Sequence, residues 1–285
     1  MEFKLDIRPS PIAGKWYPGD PQRLAESVDH YMQEARLPEI DGEIVAVMAP
    51  HAGHVYSGPV AGFAFATLRG CTPELVAVVS PMHYPYPQPL LTSGHSAYNT
   101  PLGTIPVDQE AVEALDEELQ SELGFGLTQV WRDPEHSLEI ELPFLQRALA
   151  SPFQLLPVMV REQDERVARS LGAALAKVLR DRRAILVAST DLSHFYTHST
   201  ANELDAEILR QVADFNPHGV LEAELEGKGF ACGKGALAAV LWAALDLGAD
   251  NVQVLHHATS GDITGDFDQV VGYGAAVITR RYSQA

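Results

Sequence analysis

The sequence has 285 residues, of which 46% are hydrophobic, and 20 Lys+Arg against 38 Asp+Glu give it a formal net charge of -18 at pH 7. This length and apolar content are sufficient for a large buried core, whereas the negative charge disfavours nucleic acid and anionic membrane surfaces as partners. Two cysteines are too few for a disulfide framework, and no apolar run is long enough for a membrane span or an export signal, so a cytoplasmic protein is expected.

Apolar, β-rich runs recur along the chain and alternate with helical patterns. The runs predict strands covered on both faces, and they lie at 43–48, 74–80, 154–160, 184–189, 251–257 and 270–278. Helices are predicted at 22–37, 109–123, 135–149, 164–180, 202–214 and 234–247. Asp20-Pro21 and Asp108 provide N-terminal caps for the first two helices. Pro143 is expected to bend or split the third.

Strands that alternate with helices predict an α/β fold with a largely parallel central sheet flanked by helices. No repeat and no Pro/Gly/Ser linker divides the chain, so residues 1–285 are predicted to form a single domain. The segment Ser80–Asp108 is rich in Pro, Gly and aromatic residues. It is expected to be either an irregular loop packed over another part of the protein or a surface excursion with a short hairpin.

Polar residues suited to metal binding or acid/base chemistry follow several of the predicted strands. His51 follows the first predicted strand, His83 follows the second, and Asp191 and His194 follow the fourth. The segment "HATSGDITGD", which contains two aspartates, comes after the fifth. Open α/β sheets bind ligands beyond the carboxyl ends of their strands. A single histidine at a strand end is more often structural than a ligand, but the agreement among four strand ends indicates a ligand site.

Cys232 lies just ahead of the last predicted helix, in "GFACGKGAL". Unpaired backbone amides and the helix dipole at such a position favour a thiolate. The neighbouring glycines, among them Gly233, indicate a loop that approaches another part of the protein closely. A small buried apolar cysteine is the alternative interpretation. Cys71 has no such neighbours and is predicted to be structural.

His136 and Glu139, in "PEHSLEIELPF", are three residues apart and would share one face of a helix. That spacing is typical of a metal site or an acid/base pair, and also of an ordinary capping arrangement. We interpret His136 as a residue of the site and Glu139 as structural. His54 is the less expected ligand of the two histidines in "MAPHAGHVYSG".

Six stretches, taken in order, resemble the Memo family, which in prokaryotes is called AmmeMemoRadiSam system protein B. They are "APHAGHVYSG", "SPMHY", "YNTPLG", "EHSLEIELPFLQ", "STDLSH" and "ACGKGAL", and the likeness extends from about Ala49 to Ala275. The resemblance implies a fold similar to that of the class III extradiol dioxygenases and a pocket that binds iron or copper. Matched motif by motif, it implies that the metal ligands are His51, His83 and Cys232, with Asp191 and His194 close by.

The sequence departs from these patterns at two points. Ser80-Pro81-Met82-His83 stands where the family usually has Gly-Pro-Ser-His, which keeps the histidine but changes the loop that presents it. In the ring-cleaving enzymes the third ligand is a carboxylate, whereas the family and this sequence have a cysteine, Cys232. A thiolate is a softer ligand that favours copper(I), zinc or a more covalently bound iron, and it is prone to oxidation near dioxygen.

Three hypotheses for function follow. The first is a mononuclear, redox-active iron or copper site, with His194 as an acid/base oriented by Asp191 and with His136 beside it. The second is a metal-free thiol hydrolase or transferase with Cys232 as the nucleophile and a histidine as its base. The third, implied by the family name, is an accessory or metal-handling protein whose partners are AMMECR-type and radical-SAM-type proteins.

Overall fold

The computed structural model describes residues 6–281. In that range the strands are β1 (Ile7–Arg8), β2 (Glu43–Ala49), β3 (Leu75–Pro81), β4 (Leu90–Ser93), β5 (Ala97–Thr100), β6 (Gly103–Pro106), β7 (Thr128–Val130), β8 (Gln154–Val160), β9 (Ala184–Ser189), β10 (His194–Tyr196), β11 (Asn251–Thr259) and β12 (Val270–Arg280). The helices are α1 (Pro21–Glu34), α2 (His54–Ala66), α3 (Gln109–Leu123), α4 (Leu142–Ala148), α5 (Glu165–Leu179), α6 (His198–Ala213), α7 (Pro217–Leu225), α8 (Lys234–Asp246) and α9 (Gly261–Thr264). A 3₁₀ turn, Glu139–Glu141, leads into α4.

The large sheet has the strand order β10-β12-β2-β9-β3-β8-β4-β7, with β11 also paired to β12. Its centre is parallel, because β2 pairs with β9, β9 with β3, and β3 with β8 in the same direction. Antiparallel pairings of β12 with β2 and of β4 with β8 extend the two sides. The predicted α/β fold with a largely parallel central sheet is confirmed. A second, small sheet joins β1, β5 and β6.

The buried core explains why these segments form these elements. The middle strands are apolar throughout, and every residue of β3 is buried. Helices α2 and α8 are apolar on nearly all sides because each packs against both the sheet and another helix. Among the described residues, no helix is long and apolar enough to cross a membrane.

The predicted helix at 135–149 is wrong at its start. Residues 135–138 are not helical, because the Glu135 side chain accepts hydrogen bonds from the backbone of His136 and Ser137 while its own backbone N–H is bound by Asp133. Such local side-chain bonds compete with a helix. The regular α-helix begins only at α4, with Pro143 in its first turn, where a proline is tolerated.

The segment Ser80–Asp108 contains more structure than was predicted. The predicted short hairpin is present as β5 and β6, which pair antiparallel across a tight turn, but β5 is mostly buried, so the segment is not a surface excursion. Strand β4, which was not predicted, is fully buried and joins the central sheet. Helix α7 was also missed, because its apolar residues lack a clear helical stripe.

Candidate metal centre

The three adjacent parallel strands β2, β9 and β3 each present a polar side chain at their carboxyl ends. His51, Asp191 and His83 are each the second residue beyond the last residue of their strand. Because the strands are neighbours and run in the same direction, these residues meet at one edge of the sheet. The acids after β11 do not extend this set, since Asp262 accepts hydrogen bonds from Thr259 in its own turn.

Three histidines converge at this edge. His51, His83 and His136 each offer a ring nitrogen, and these ligand atoms all lie within 4.8 Å of one another. The rings of His83 and His136 are nearly parallel, with centroids 4.9 Å apart, and the His51 ring stands edge-on to both. His51 is buried, while the side chain of His83 is 35% exposed. Imidazole nitrogens at this separation can bind one metal ion.

A buried carboxylate, Glu135, orients two of the three rings. Its Oε2 accepts the backbone N–H of His83 at 2.6 Å, and its Oε1 accepts from Nδ1 of His83 at 3.0 Å. The same Oε1 lies 3.2 Å from Nδ1 of His136. Burial alone opposes ionisation, yet the hydrogen bonds and the charges of His83 and His136 lower the pKa of Glu135 to about 2. Because an ionised carboxylate only accepts, Nδ1 of His83 carries the proton and Nε2 keeps a free lone pair.

The Glu135→Gln variant tests this orientation. The amide cannot accept at both ends, so it loses one contact to His83 as well as the negative charge. We expect metal affinity to fall roughly 10–100-fold, as is usual for loss of a carboxylate behind a histidine ligand. Metal titration by calorimetry measures the change. Glu110→Gln removes the same charge from the exposed first turn of α3 and should leave the affinity unaltered; an equal effect of both variants would contradict the orienting role.

Cys232 lies against the buried side of the cluster. Its Sγ is 3.1 Å from Nε2 of His51 and accepts the backbone N–H of Asp191 at 3.3 Å. Gly233 permits this approach, because a Cβ there would lie 2.6 Å from the carbonyl oxygen of Ser189. Burial first, and then the Asp191 carboxylate, raise the pKa of the Cys232 thiol. The thiolate expected from the helix start is therefore not favoured in the metal-free site.

Asp191 and His194 are both at the site but do not form the expected pair. Asp191 Oδ1 accepts the backbone N–H groups of His51 and Ala52, at 2.8 and 3.2 Å. His194 instead donates from Nδ1 to the carbonyl oxygen of Leu192 at 2.8 Å. Within the described chain, Asp191 thus orients the loop that carries His51, and the Leu192 carbonyl orients His194. Burial raises the pKa of Asp191 to about 7.

Two of the three clustered histidines have lowered pKa values. Burial, followed by repulsion from the imidazoles of His136, His83 and His194, lowers the pKa of His51 well below its ordinary value. Burial likewise lowers the pKa of His136 to about 4. His51 and His136 are therefore neutral imidazoles at physiological pH, which is the form that binds metals.

His54 is not part of the cluster. It is buried in α2, its Nε2 donates to the carbonyl oxygen of Ile140 at 3.0 Å, and its ring packs against Tyr17 and Phe144. Its Nδ1 has no hydrogen-bond partner among residues 6–281. Burial lowers the pKa of His54 to about 4, so His54 has a structural role.

His54 should make the stability depend on pH. In the unfolded chain it gains a proton as the pH falls through 6.5, whereas in the folded state it stays neutral until about pH 4. Stability is therefore lost as pH falls between these values. Between pH 7 and pH 4 the parent should lose about 3 kcal/mol more free energy of unfolding than His54→Phe. Urea denaturation measures the free energy of unfolding of both proteins as a function of pH. Above pH 7 the two profiles should run parallel. Parallel profiles between pH 7 and pH 4 would contradict the prediction.

A cleft of about 480 Å³ is lined in part by Ala52 and Gly53, the two residues that follow His51 in the chain. Its wall includes Trp16, Tyr56 and Phe195, whose side chains are partly or largely exposed. The Trp16 ring lies 4.0 Å from the His136 ring. Phe195 has a φ of 63°, a backbone conformation that is uncommon for an aromatic residue and often marks functional sites. The cleft has the size of a small-molecule site.

Sequence reasoning missed several residues that support the cluster. The position of Glu135 beside His136 could have indicated a role at the site, but its contact with His83 joins residues that are 52 positions apart in the sequence. Ser189, the last residue of β9, hydrogen-bonds Nδ1 of His51 at 2.9 Å and gave no local signal. Trp16 gave none either, since it lies in an irregular segment ahead of α1.

A family profile and related sequences match nearly the whole chain. A family profile described as "Memo-like protein" matches residues 8–277. A MEMO1 family protein of Nitrosopumilus maritimus is 33% identical over 273 residues, covering 94% of this chain and 98% of that protein. One from Methanopyrus kandleri is 34% identical over 286 residues, with the same coverage. The crystal structure of uncharacterized protein JW3007 from Escherichia coli K12 matches 82% of this chain and 100% of its own, at 14% identity and a TM-score of 0.45.

Proposed function

The chain belongs to the Memo-like protein family, and we propose that it is a metal-binding protein with one mononuclear site for iron or copper. The proposed ligands are His51, His83 and Cys232, and His136 lies beside them as a fourth donor or an acid/base. The single observation that carries the metal site is the convergence of the imidazoles of His51, His83 and His136, with ligand atoms within 4.8 Å of one another. Cys232 is proposed as the third ligand from the family resemblance and from its contact with His51.

The donor set fits such an ion. Glu135 holds the proton of His83 on Nδ1, so that Nε2 is free. The Cys232 sulfur lies 3.1 Å from Nε2 of His51, a separation compatible with two ligands of one ion. Metal binding would displace the thiol proton, which makes uptake dependent on pH. A set of soft and borderline donors favours copper, iron or zinc over magnesium and calcium.

Iron or copper, when bound, would supply one-electron chemistry and positions for exogenous ligands. The protein's own residues would do the rest. His194 donates from Nδ1 to the Leu192 carbonyl, so its Nε2 can accept a proton from a bound molecule. Asp191 fixes the loop of His51. The cleft at Trp16 and Phe195 would receive a small molecule and restrict access of water.

A second function is favoured by the contact between the Cys232 thiol and the His51 imidazole, which has the parts of a nucleophile and its base. Against it, burial raises the pKa of the thiol, and Asp191 binds backbone amides rather than an imidazole nitrogen. Rapid, selective alkylation of Cys232 by iodoacetamide in metal-free protein would favour this function over metal binding.

An accessory role with AMMECR-type and radical-SAM-type partners stays a prediction. A pull-down from a cell that contains both types tests it. Recovery of neither would count against that role.

Elemental analysis of anaerobically purified protein tests the main proposal. We expect about one iron or copper ion per chain, or uptake of one on titration with iron(II), copper(I) or zinc. Protein that is isolated without metal and takes up none of the three would overturn the proposal. Stoichiometric zinc alone would keep the site but exclude redox chemistry, because zinc has no accessible second oxidation state.

A further inference from the structure

The hydroxyl group of Ser189 has three close partners at the end of β9. It lies 2.9 Å from Nδ1 of His51, 2.6 Å from the carbonyl oxygen of Ser137 and 2.8 Å from Oε1 of Glu141. Ser189 and Glu141 are 0% and 1% exposed. The hydrogen bonds of this group must therefore be satisfied within the protein.

The number of donors decides how the protons are placed. A hydroxyl group donates one hydrogen bond and accepts two. The Ser137 carbonyl can only accept, so it takes the Ser189 proton. The other two partners must then both donate to Ser189 Oγ. His51 must carry its proton on Nδ1, and Glu141 must be a protonated carboxylic acid with the proton on Oε1.

The surroundings of Glu141 agree with a neutral acid. No lysine or arginine in residues 6–281 forms an ion pair with Glu141, and its Oε2 has no hydrogen-bond partner in that range. An isolated buried carboxylate is very costly, whereas an unpartnered carbonyl oxygen of a neutral acid costs far less. Burial also raises the pKa of Glu141 well above its ordinary value.

We propose that Ser189 and a neutral Glu141 form a positioning pair that holds His51 in the Nδ1–H tautomer, with the lone pair of Nε2 directed towards the Cys232 sulfur. The consequence for metal binding rests on the proposed function, because Nε2 is then the atom of His51 that is ready to act as a ligand. The tautomer itself follows from the hydrogen bonds alone. Ser189 and Glu141 act through His51 and do not touch the bound ion.

The first test uses metal-free protein and nitrogen-15 NMR of the His51 ring. In the parent and in Glu141→Gln we expect the Nδ1–H tautomer, since the glutamine amide can also donate to Ser189. In Ser189→Ala we expect a mixture of tautomers. Ser80→Ala is the matched control, because Ser80 is a buried serine on the neighbouring β3 whose hydroxyl has no partner among the described residues. An unchanged tautomer in Ser189→Ala would overturn the proposal.

The second test is infrared spectroscopy. It is carried out well above pH 7, because the pKa of Asp191 is about 7 and Asp191 is then ionised. A protonated carboxylic acid has a carbonyl stretch at higher frequency than either stretch of a carboxylate. We expect such a band in the parent and its loss in Glu141→Gln. If Glu141→Gln removes a carboxylate band instead, Glu141 is ionised and the proposal is wrong.

Metal titration separates this inference from the proposed function. If the site binds metal, Ser189→Ala should lower the affinity roughly 10–100-fold, as for other groups behind a histidine ligand, while Ser80→Ala should leave it unchanged. If the parent binds no metal but the tautomer and infrared results are as expected, the proposed function fails and the positioning pair stands.

Discussion

Replacing His51 with alanine should abolish stoichiometric metal binding. We expect the affinity for iron(II) or copper(I) to fall by at least ~100-fold. Loss of a group that only hydrogen-bonds to a metal ligand already lowers affinity about 10–100-fold, and His51 is itself a proposed ligand that contacts or faces every other donor of the site. Its ring stands edge-on to the stacked rings of His83 and His136, and its Nε2 contacts Cys232. Anaerobic titration followed by elemental analysis measures the loss.

The control for this variant is His30→Ala, which removes an exposed histidine from α1 and should bind metal like the parent. Parent-like binding by His51→Ala would place the metal elsewhere.

The same titration on Cys232→Ser and His136→Ala identifies the third ligand. With cobalt(II) as the probe, we expect a sulfur-to-metal charge-transfer absorption that disappears in Cys232→Ser and persists in His136→Ala. No such band in the parent, together with cobalt binding that is kept in Cys232→Ser and lost in His136→Ala, would assign a three-histidine site.

The sheet could be predicted because its strands are short, continuous apolar runs, and several helix starts could be predicted from their capping residues. Asp20 and Asp108 both accept a backbone N–H in the first turn of their helices. The false start at residue 135 has a different cause. The pattern there is typical of a helix, but two kinds of contact oppose it: the local hydrogen bonds of the Glu135 side chain, and Arg8, 127 residues away, which donates to the Glu135 carbonyl oxygen. Local sequence carries no information about such a contact.

The site was predictable to the extent that the sheet brings strand ends together. His51, His83 and Asp191 follow adjacent parallel strands, so their convergence is a consequence of topology. The hydrogen bonds among the site residues were not predictable. Asp191 was expected to orient His194 but instead accepts the backbone N–H of His51. This contact joins residues that are 140 positions apart in the sequence, so the local sequence does not reveal it. The protonation of Glu141 likewise depends on which groups reach Ser189.

A buried ionic network joins β1 to the segment that carries Glu135. Arg8 is 1% exposed and forms a two-pronged ion pair with Asp133, through Nε at 3.0 Å and Nη2 at 2.8 Å, and a second ion pair with Glu139. Tyr17 also donates to Glu139, at 2.7 Å. Because Nη2 of Arg8 also donates to the Glu135 carbonyl at 2.8 Å, the network fixes the residue that orients His83.

Arg8→Met should lower the free energy of unfolding by about 3–5 kcal/mol, because it leaves the carboxylates of Asp133 and Glu139 buried without their cation. Adding Asp133→Asn and Glu139→Gln to the same chain should recover part of this loss, since no uncompensated buried charge then remains. Arg147→Met, which breaks a partly exposed pair with Asp29, should cost no more than ~1 kcal/mol. Urea denaturation at pH 7 compares the variants. A change of similar size for Arg8→Met and Arg147→Met would show that apolar packing, rather than charge pairing, holds the first strand in place.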